Sequence, residues 1–236
     1  MMLPKIKYPT HEFVIPSTKK KQLFRPFLVK EEKILLMSKT TEDRSEIFRA
    51  IKQIINNCAL TDSFEVDALT IFDLEYLFLK LRAVSINNVV KVSYRDNEDD
   101  QVYDFTIDLM EIEVKFPEKV QSTIKVNKDV VIKMKYPAAS IFDDKQFFTK
   151  GNEAYFDLIV RCIDKVYDGE DVYDASNSTK EEVEEFLDHL NNAAFESIQE
   201  FMNNMPKVYH ELNYINKMGN NRKIEMSSLE DFFTLG

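Results

Sequence analysis

In the stretch "KVSYRDNEDDQVYDFTIDL", residues 91–109, two runs of alternating side chains flank an acid-rich tip, which restricts the local fold to a β-hairpin. Val90, Val92 and Tyr94 fall on one side of an extended chain, and Tyr103, Phe105, Ile107 and Leu109 do so on the return. Period-two alternation of β-branched and aromatic residues marks half-buried strands, and the polar stretch between them is the turn. Asp96, Glu98 and Asp100 have the 1, 3, 5 spacing of a calcium loop. Such a loop needs Gly at its sixth position and a bidentate Glu at its twelfth, where this chain has Gln101 and Ile107. The expectation is therefore a solvated acidic hairpin end, with no metal.

Other segments change period. "HEFVI" and "QLFRPF" read as two short strands joined by "PSTKK". "FLVKEEKILLMSK" reads as a helix through Leu28, Leu35 and Leu36. "TTEDRSEIFRAIKQIINNC" is a clearer one, capped by Thr41 or Asp43, with an apolar stripe of Ile47, Phe48, Ile51, Ile54, Ile55 and Cys58. "TIFDLEYLFLKLRAVS" follows as a third helix. A second hairpin is expected in "STIKVNKDVVIKMKYP", then a striped helix "NEAYFDLIVRCIDKVYDG" ended by Gly169 and an acidic connector. "STKEEVEEFLDHL" opens with Ser178 or Thr179 and has Glu182 where a capping box wants it. "NAAFESIQEFMNNMP" is a helix stopped by Pro206. The end, "VYHELNYINKMGNNRKIEMSSLEDFF", reads as a hairpin and a short helix.

Hairpin, helices, hairpin thus occurs twice, which indicates an internal duplication. The fold class is α+β, with helices on small antiparallel hairpins. The expected domains are residues 1–117 and 118–236, with "KFPEKVQS" at the boundary. The last hairpin's tip, "INKMGNNRK", is basic and amide-rich where the first is acidic, so the hairpin frame counts for more than the acids.

The chain has 236 residues and a formal net charge of −10, which argues against a general nucleic-acid binder. Cys58 and Cys162 form neither a disulfide framework nor a zinc spacing and are expected as core thiols of a cytoplasmic protein. No apolar run approaches a membrane span, and the N-terminus lacks a signal-type hydrophobic region. No phosphate-binding glycine loop or nucleophile elbow occurs. His11, His189 and His210 are scattered without ligand spacing. No pattern of enzyme chemistry emerges.

Charge is uneven. Residues 1–35 hold eight Lys/Arg against three Asp/Glu, and residues 168–203 hold one Lys against eleven. This arrangement suits either two solvated faces or complementary docking, between copies or onto partners.

The strings "LPKIKYPT", "FRPFLVKEEKILLM", "FDLEYLFLKLRAVS", "CIDKVYDGEDVYDASNSTKEEVEEFLDHL" and "FESIQEFMNNMPKV" resemble the baseplate hub and hub-assembly proteins of T4-type tailed bacteriophages, over nearly the whole chain. The resemblance implies a non-enzymatic, chaperone-like or structural role in building the central hub. It implies other phage hub proteins as partners, no cofactor, and action in the host cytoplasm or in the virion baseplate. Some members carry cysteine pairs in the hairpins that would hold zinc. Here "SYRDNEDDQVYDF" and "NYINKMGNNRKIEM" have none, so no metal is carried over. Candidate contact residues are Arg25, Phe27, Lys30 and Glu31 at a strand-to-helix junction, and Tyr167, Asp168, Tyr173 and Asp174 on the acidic connector. Two other readings stay open. One is a metal-dependent hydrolase or nuclease using Asp96, Asp99 and Asp100. The other is a nucleic-acid-binding module using Lys19, Lys20, Lys21 and Arg25 with Phe24 between them.

Overall fold

The structure is a computed structural model that describes residues 6–39, 44–118, 120–144, 147 and 152–232. In chain order the elements are β1 (His11–Val14), β2 (Lys21–Phe24), α1 (Val29–Lys39), α2 (Arg44–Cys58), α3 (Ile71–Ser85), β3 (Val89–Arg95), β4 (Val102–Asp108) and β5 (Glu113–Lys115). There follow β6 (Thr123–Lys125), β7 (Val130–Met134), α4 (Asn152–Cys162), β8 (Ile163–Asp168), β9 (Asp171–Asp174), α5 (Lys180–Asp188), α6 (Asn192–Asn203), β10 (Lys207–Ile215) and β11 (Asn221–Met226). A single 3-10 turn, Leu229–Phe232, closes the described chain. The α+β class holds. The caps expected at Thr41 or Asp43 lie outside the described residues.

The chain divides into two compact units. One is Met1–Lys115 with Lys207–Gly236, and the other is Phe116–Pro206. The sequence division at 117/118 lies two residues from the first of these boundaries. It does not share the second, because β10 returns to pair with β5, Val208 opposite Val114.

In the first unit the two expected hairpins, β1–β2 and β3–β4, form with antiparallel registers His11↔Phe24 and Val92↔Phe105. The α2 stripe is realised: Ile51, Ile54, Ile55 and Cys58 are all fully buried. Helix α3 is apolar nearly all round, which requires cover on every side. Its Leu74, Leu77, Phe78, Leu79 and Leu81 are indeed fully buried. Its start is fixed by a reciprocal capping box between Thr70 and Asp73. The Asp73 carboxylate also accepts from the Ser17 amide at 2.8 Å and the Ser17 hydroxyl at 2.5 Å, tying the β1–β2 turn to that helix end.

The second unit is a four-stranded antiparallel sheet, β6-β7-β8-β9, with helices packed on it. Ile132, Ile159, Cys162, Ile198 and Phe201 make its core, and Tyr136 stacks on Phe201 at 5.6 Å. Two elements differ from expectation. The helix predicted to run to Gly169 ends at Cys162, and Ile163–Asp168 is strand β8. The acidic connector begins as strand β9, paired with β8 through Asp168↔Asp171. The reason is local. Gly169 has φ +59 and is the first of two loop residues, the pattern of a type II′ hairpin turn whose twist suits two flanking strands. Val166, Tyr167, Val172 and Tyr173 beside it are strand formers. Helix α5 starts as expected, with a capping box between Thr179 and Glu182.

Cys58 and Cys162 are free and fully buried. Burial pushes their thiols up to about 11 and about 12, so both are inert core groups rather than nucleophiles.

Candidate functional site

The acidic tip of β3–β4 is not solvated: it is clasped by the tip of β10–β11. Asp96 is fully buried. Its Oδ2 accepts from the Tyr214 hydroxyl at 2.6 Å and from Arg222 Nε at 3.0 Å, while its Oδ1 accepts from the Glu98 amide at 2.8 Å. Glu98 accepts from the Asn216 and Asn220 side-chain amides at 2.6 and 2.9 Å. Asp99 accepts from the Lys217 amide at 3.0 Å, and Arg222 Nη2 donates to the Asn97 side-chain Oδ1 at 2.6 Å. The Tyr214 ring packs between Tyr103 and Phe105, with centroids 4.7 and 5.3 Å away. The difference in tip chemistry between the two hairpins is therefore complementarity. Asp96, Glu98 and Asp99 each meet a donor from a segment more than a hundred residues away in sequence.

This placement also parts the acids that the calcium and hydrolase readings would bring together. Asp96 faces Tyr214 and Arg222, and Glu98 faces two amides. Asp100 points to solvent beside Arg95 at 3.2 Å. Burial alone would raise the Asp96 carboxyl. The hydrogen bonds from Tyr214, the Glu98 amide and Arg222 outweigh it, so Asp96 titrates below its ordinary value. Tyr214 is pushed up to about 12, by burial and then by the Asp96 bond.

A carboxylate held below its ordinary pKa stabilises the fold fully above that ordinary value, and the contribution is lost as pH falls through the lowered one. Asp96→Asn is therefore expected to lower the thermal midpoint at pH 7, with the difference from the unmodified chain shrinking below about pH 4. Melting curves at pH 7 and pH 3 check this. An equal deficit at both would show that the charge of Asp96 is not what the clasp uses.

The first candidate contact set folds inward. Glu31 is fully buried and takes a bidentate bond from Arg25, at 2.9 and 3.2 Å. Arg25 also donates to the Asn57 carbonyl at 2.7 Å and the Pro26 carbonyl at 3.0 Å. Glu31 Oε2 accepts from the Leu28 amide at 2.9 Å, which closes the first turn of α1. Phe27 is buried against Phe78, and its amide donates to the Ser85 hydroxyl. Only Lys30 of the four presents most of its side chain to water, 64% of it, with its ammonium 3.4 Å from Glu31. The basic turn fares similarly for nucleic acid. Phe24, the ring expected between the lysines, is fully buried and packs on Phe13 and Phe64, so it offers no stacking face. Lys21 pairs with Glu12 at 2.8 Å.

The second candidate set stays on the surface. Strand β9 is the edge of its sheet, and Val172 and Tyr173 on it are 56% and 55% exposed. Tyr167, opposite Val172, is also exposed. Asp168 and Tyr173 border a cleft of about 300 Å³ in the same unit, floored by Val166, Val183 and Phe186. Asp174 is half-buried, because its carboxylate caps the following 3-10 turn by accepting from the Ser176 amide at 2.9 Å. It shapes the end of the strand rather than projecting from it.

The site residues that sequence reasoning missed are Tyr214, Asn216, Lys217, Asn220 and Arg222. The signal for them was present in the opposite charge of the two tips.

Two hairpin tips of this α+β chain are thus used up on each other, and the acidic β8–β9 hairpin stays exposed. The chain belongs to the T4 bacteriophage base plate protein family, whose family model matches residues 8–234. The resemblance carried by the quoted strings thus holds at the level of the baseplate. No curated protein and no solved structure matches the chain. Among the described residues, no helix is long and apolar enough to cross a membrane.

Proposed function

We propose that this baseplate protein builds the central hub without catalysing a reaction, by binding other hub proteins through the acidic β8–β9 hairpin. The supporting observation is the exposed pair Val172 and Tyr173 on a sheet edge beside an apolar cleft. Strand β9 is short and bounded by Asp171 and Asp174, which discourages backbone pairing by another chain, so recognition falls to its exposed side chains. Tyr is favoured at contact hot spots because it combines a large apolar ring with a polar tip. Tyr167, Asp168 and Tyr173 are the contact residues on this reading. Lys30 is a separate, weaker candidate, and Asp174 acts by holding the strand end. The protein works in the host cytoplasm during assembly, with other phage hub proteins as partners and no cofactor.

The test is a mass-spectrometric inventory of purified particles beside a pull-down of tagged protein from infected cells. The same pull-down is repeated with Tyr173→Ala. Recovery of hub proteins, reduced at least about tenfold by Tyr173→Ala, is the expected result. Presence in particles makes the protein a hub subunit, and absence from particles makes it a transient assembly factor. Recovery of no hub protein, with the chain also missing from particles, overturns the reading.

A further inference from the structure

The acidic hairpin has a counterpart on the same chain. The outward face of β1–β2 carries Val14 and Leu23, 40% and 45% exposed. The segment leading into it exposes Ile6 and Tyr8 at 70% and 41%, with Lys7 between them. Lys19, Lys20 and Lys21 lie at its turn, and residues 1–35 carry the chain's basic excess. The β8–β9 hairpin offers the complement: exposed Val172 and Tyr167, directly opposite each other on one face, among Asp168, Glu170 and Asp171, in the chain's most acidic stretch. Each surface pairs apolar side chains with a rim of mainly one sign, Glu12 beside Lys21 being the exception on β1–β2, and the two rims are opposite.

We propose that the β8–β9 hairpin of one copy docks on the β1–β2 face of a second copy of this chain. This rests on reading the acidic hairpin as a contact surface and names one occupant for it. The two faces are different surfaces and every copy carries both. The contact is therefore head-to-tail, and it closes into a ring, a reciprocal pair being the smallest, or extends as a chain.

The sign of the salt response separates this contact from non-specific association. Copies with a net charge of −10 repel one another at long range, so association through apolar patches alone strengthens as salt screens the repulsion. Docking of opposite rims weakens instead, because salt screens the attraction between them.

The experiment is sedimentation velocity on the full chain, from about 10 to about 200 µM protein, in about 20 mM and about 500 mM salt. Oligomers that grow with concentration at low salt and dissociate at high salt are expected. Glu170→Lys/Asp171→Lys and Lys7→Glu/Lys20→Glu reverse one rim each. Each pair is expected to weaken association at least about tenfold, and all four changes together to restore it. The control Glu111→Lys/Glu118→Lys alters net charge by the same amount, at exposed positions of neither face, and leaves association unchanged. Thermal melts confirm that every variant is folded. A monomer at all concentrations overturns the proposal while leaving the particle inventory to decide the hub role. So does association that strengthens with salt, or a fourfold variant that fails to recover.

Discussion

Arg25→Ala is expected to destabilise the protein by about 3–5 kcal/mol, a fall of roughly 10 °C in the thermal midpoint of a chain this size. The side chain it removes neutralises Glu31, which has no exposed surface, and satisfies two carbonyls at the junction of β2 and α2. Removing Arg25 leaves the desolvated Glu31 carboxylate with only the exposed Lys30 ammonium and the Leu28 amide, and that penalty exceeds the net value of the pair itself. Burial alone would raise the Glu31 carboxyl. The Arg25 bond, the Leu28 amide and the Arg25 charge overcome this and hold it below the usual glutamate range. Glu31 therefore stabilises the fold above its ordinary pKa, and loses that effect as pH falls through the lowered value. The Arg25→Ala deficit should be full at neutral pH and smaller in acid, where a protonated Glu31 no longer needs a cation. Arg25→Met/Glu31→Leu is expected to recover most of the loss, because a packed apolar pair removes both desolvation costs. Urea unfolding followed by circular dichroism at pH 7 and pH 4 measures all three chains. A loss under about 1 kcal/mol for Arg25→Ala would return Arg25 and Glu31 to the list of surface contacts.

That pair shows where the sequence stops being readable. Arg25 and Glu31 look like charges decorating the start of a helix, and nothing local marks them as buried. The groups that bury them, Asn57 and Cys58, come from the end of α2. The same holds for Asp96. Its partners Tyr214 and Arg222 are distant in sequence, and only the opposite charge of two loop tips hinted at them. What was legible had a period. The alternation of Val90 to Tyr94 gave β3, and the stripe from Ile51 to Cys58 gave α2. The capping box at Thr179 and Glu182 gave the start of α5. The β8–β9 hairpin was misread for a related reason. Ile159, Ile163 and Val166 continue a three-to-four spacing past the end of α4, so the apolar stripe runs on unbroken from helix into strand. A glycine with positive φ serves equally as a helix terminator and as a hairpin turn, and Gly169 is the turn.

Residues 1–117 produced alone are expected not to fold. A chain that joins Lys115 directly to Lys207 through an Asn-Gly turn is expected to fold cooperatively. Lys115 and Lys207 are opposite each other in the β5–β10 register, so their Cα atoms lie about 5 Å apart, the span a two-residue hairpin turn bridges. The fragment 1–117 loses Val208, Met226, Leu229 and Phe232, all buried in the same unit. Fully burying such side chains contributes about 1.5–3 kcal/mol each, so together they approach the whole stability of an ordinary domain. The fragment also loses the donors to Asp96 and the Leu229 amide that donates to the buried Glu75 at 3.3 Å. Asp96 would then lose its Tyr214 and Arg222 donors and could regain solvation only through an opened core. The joined chain keeps every one of these contacts. Its only new element is a turn at a place where the strands already run antiparallel. Circular dichroism melts of both proteins decide the matter. A cooperative transition in 1–117 would mean that the halves read from the repeated element order are the true folding units. Failure of the joined chain to show one would mean that the first unit depends on the segment between Phe116 and Pro206.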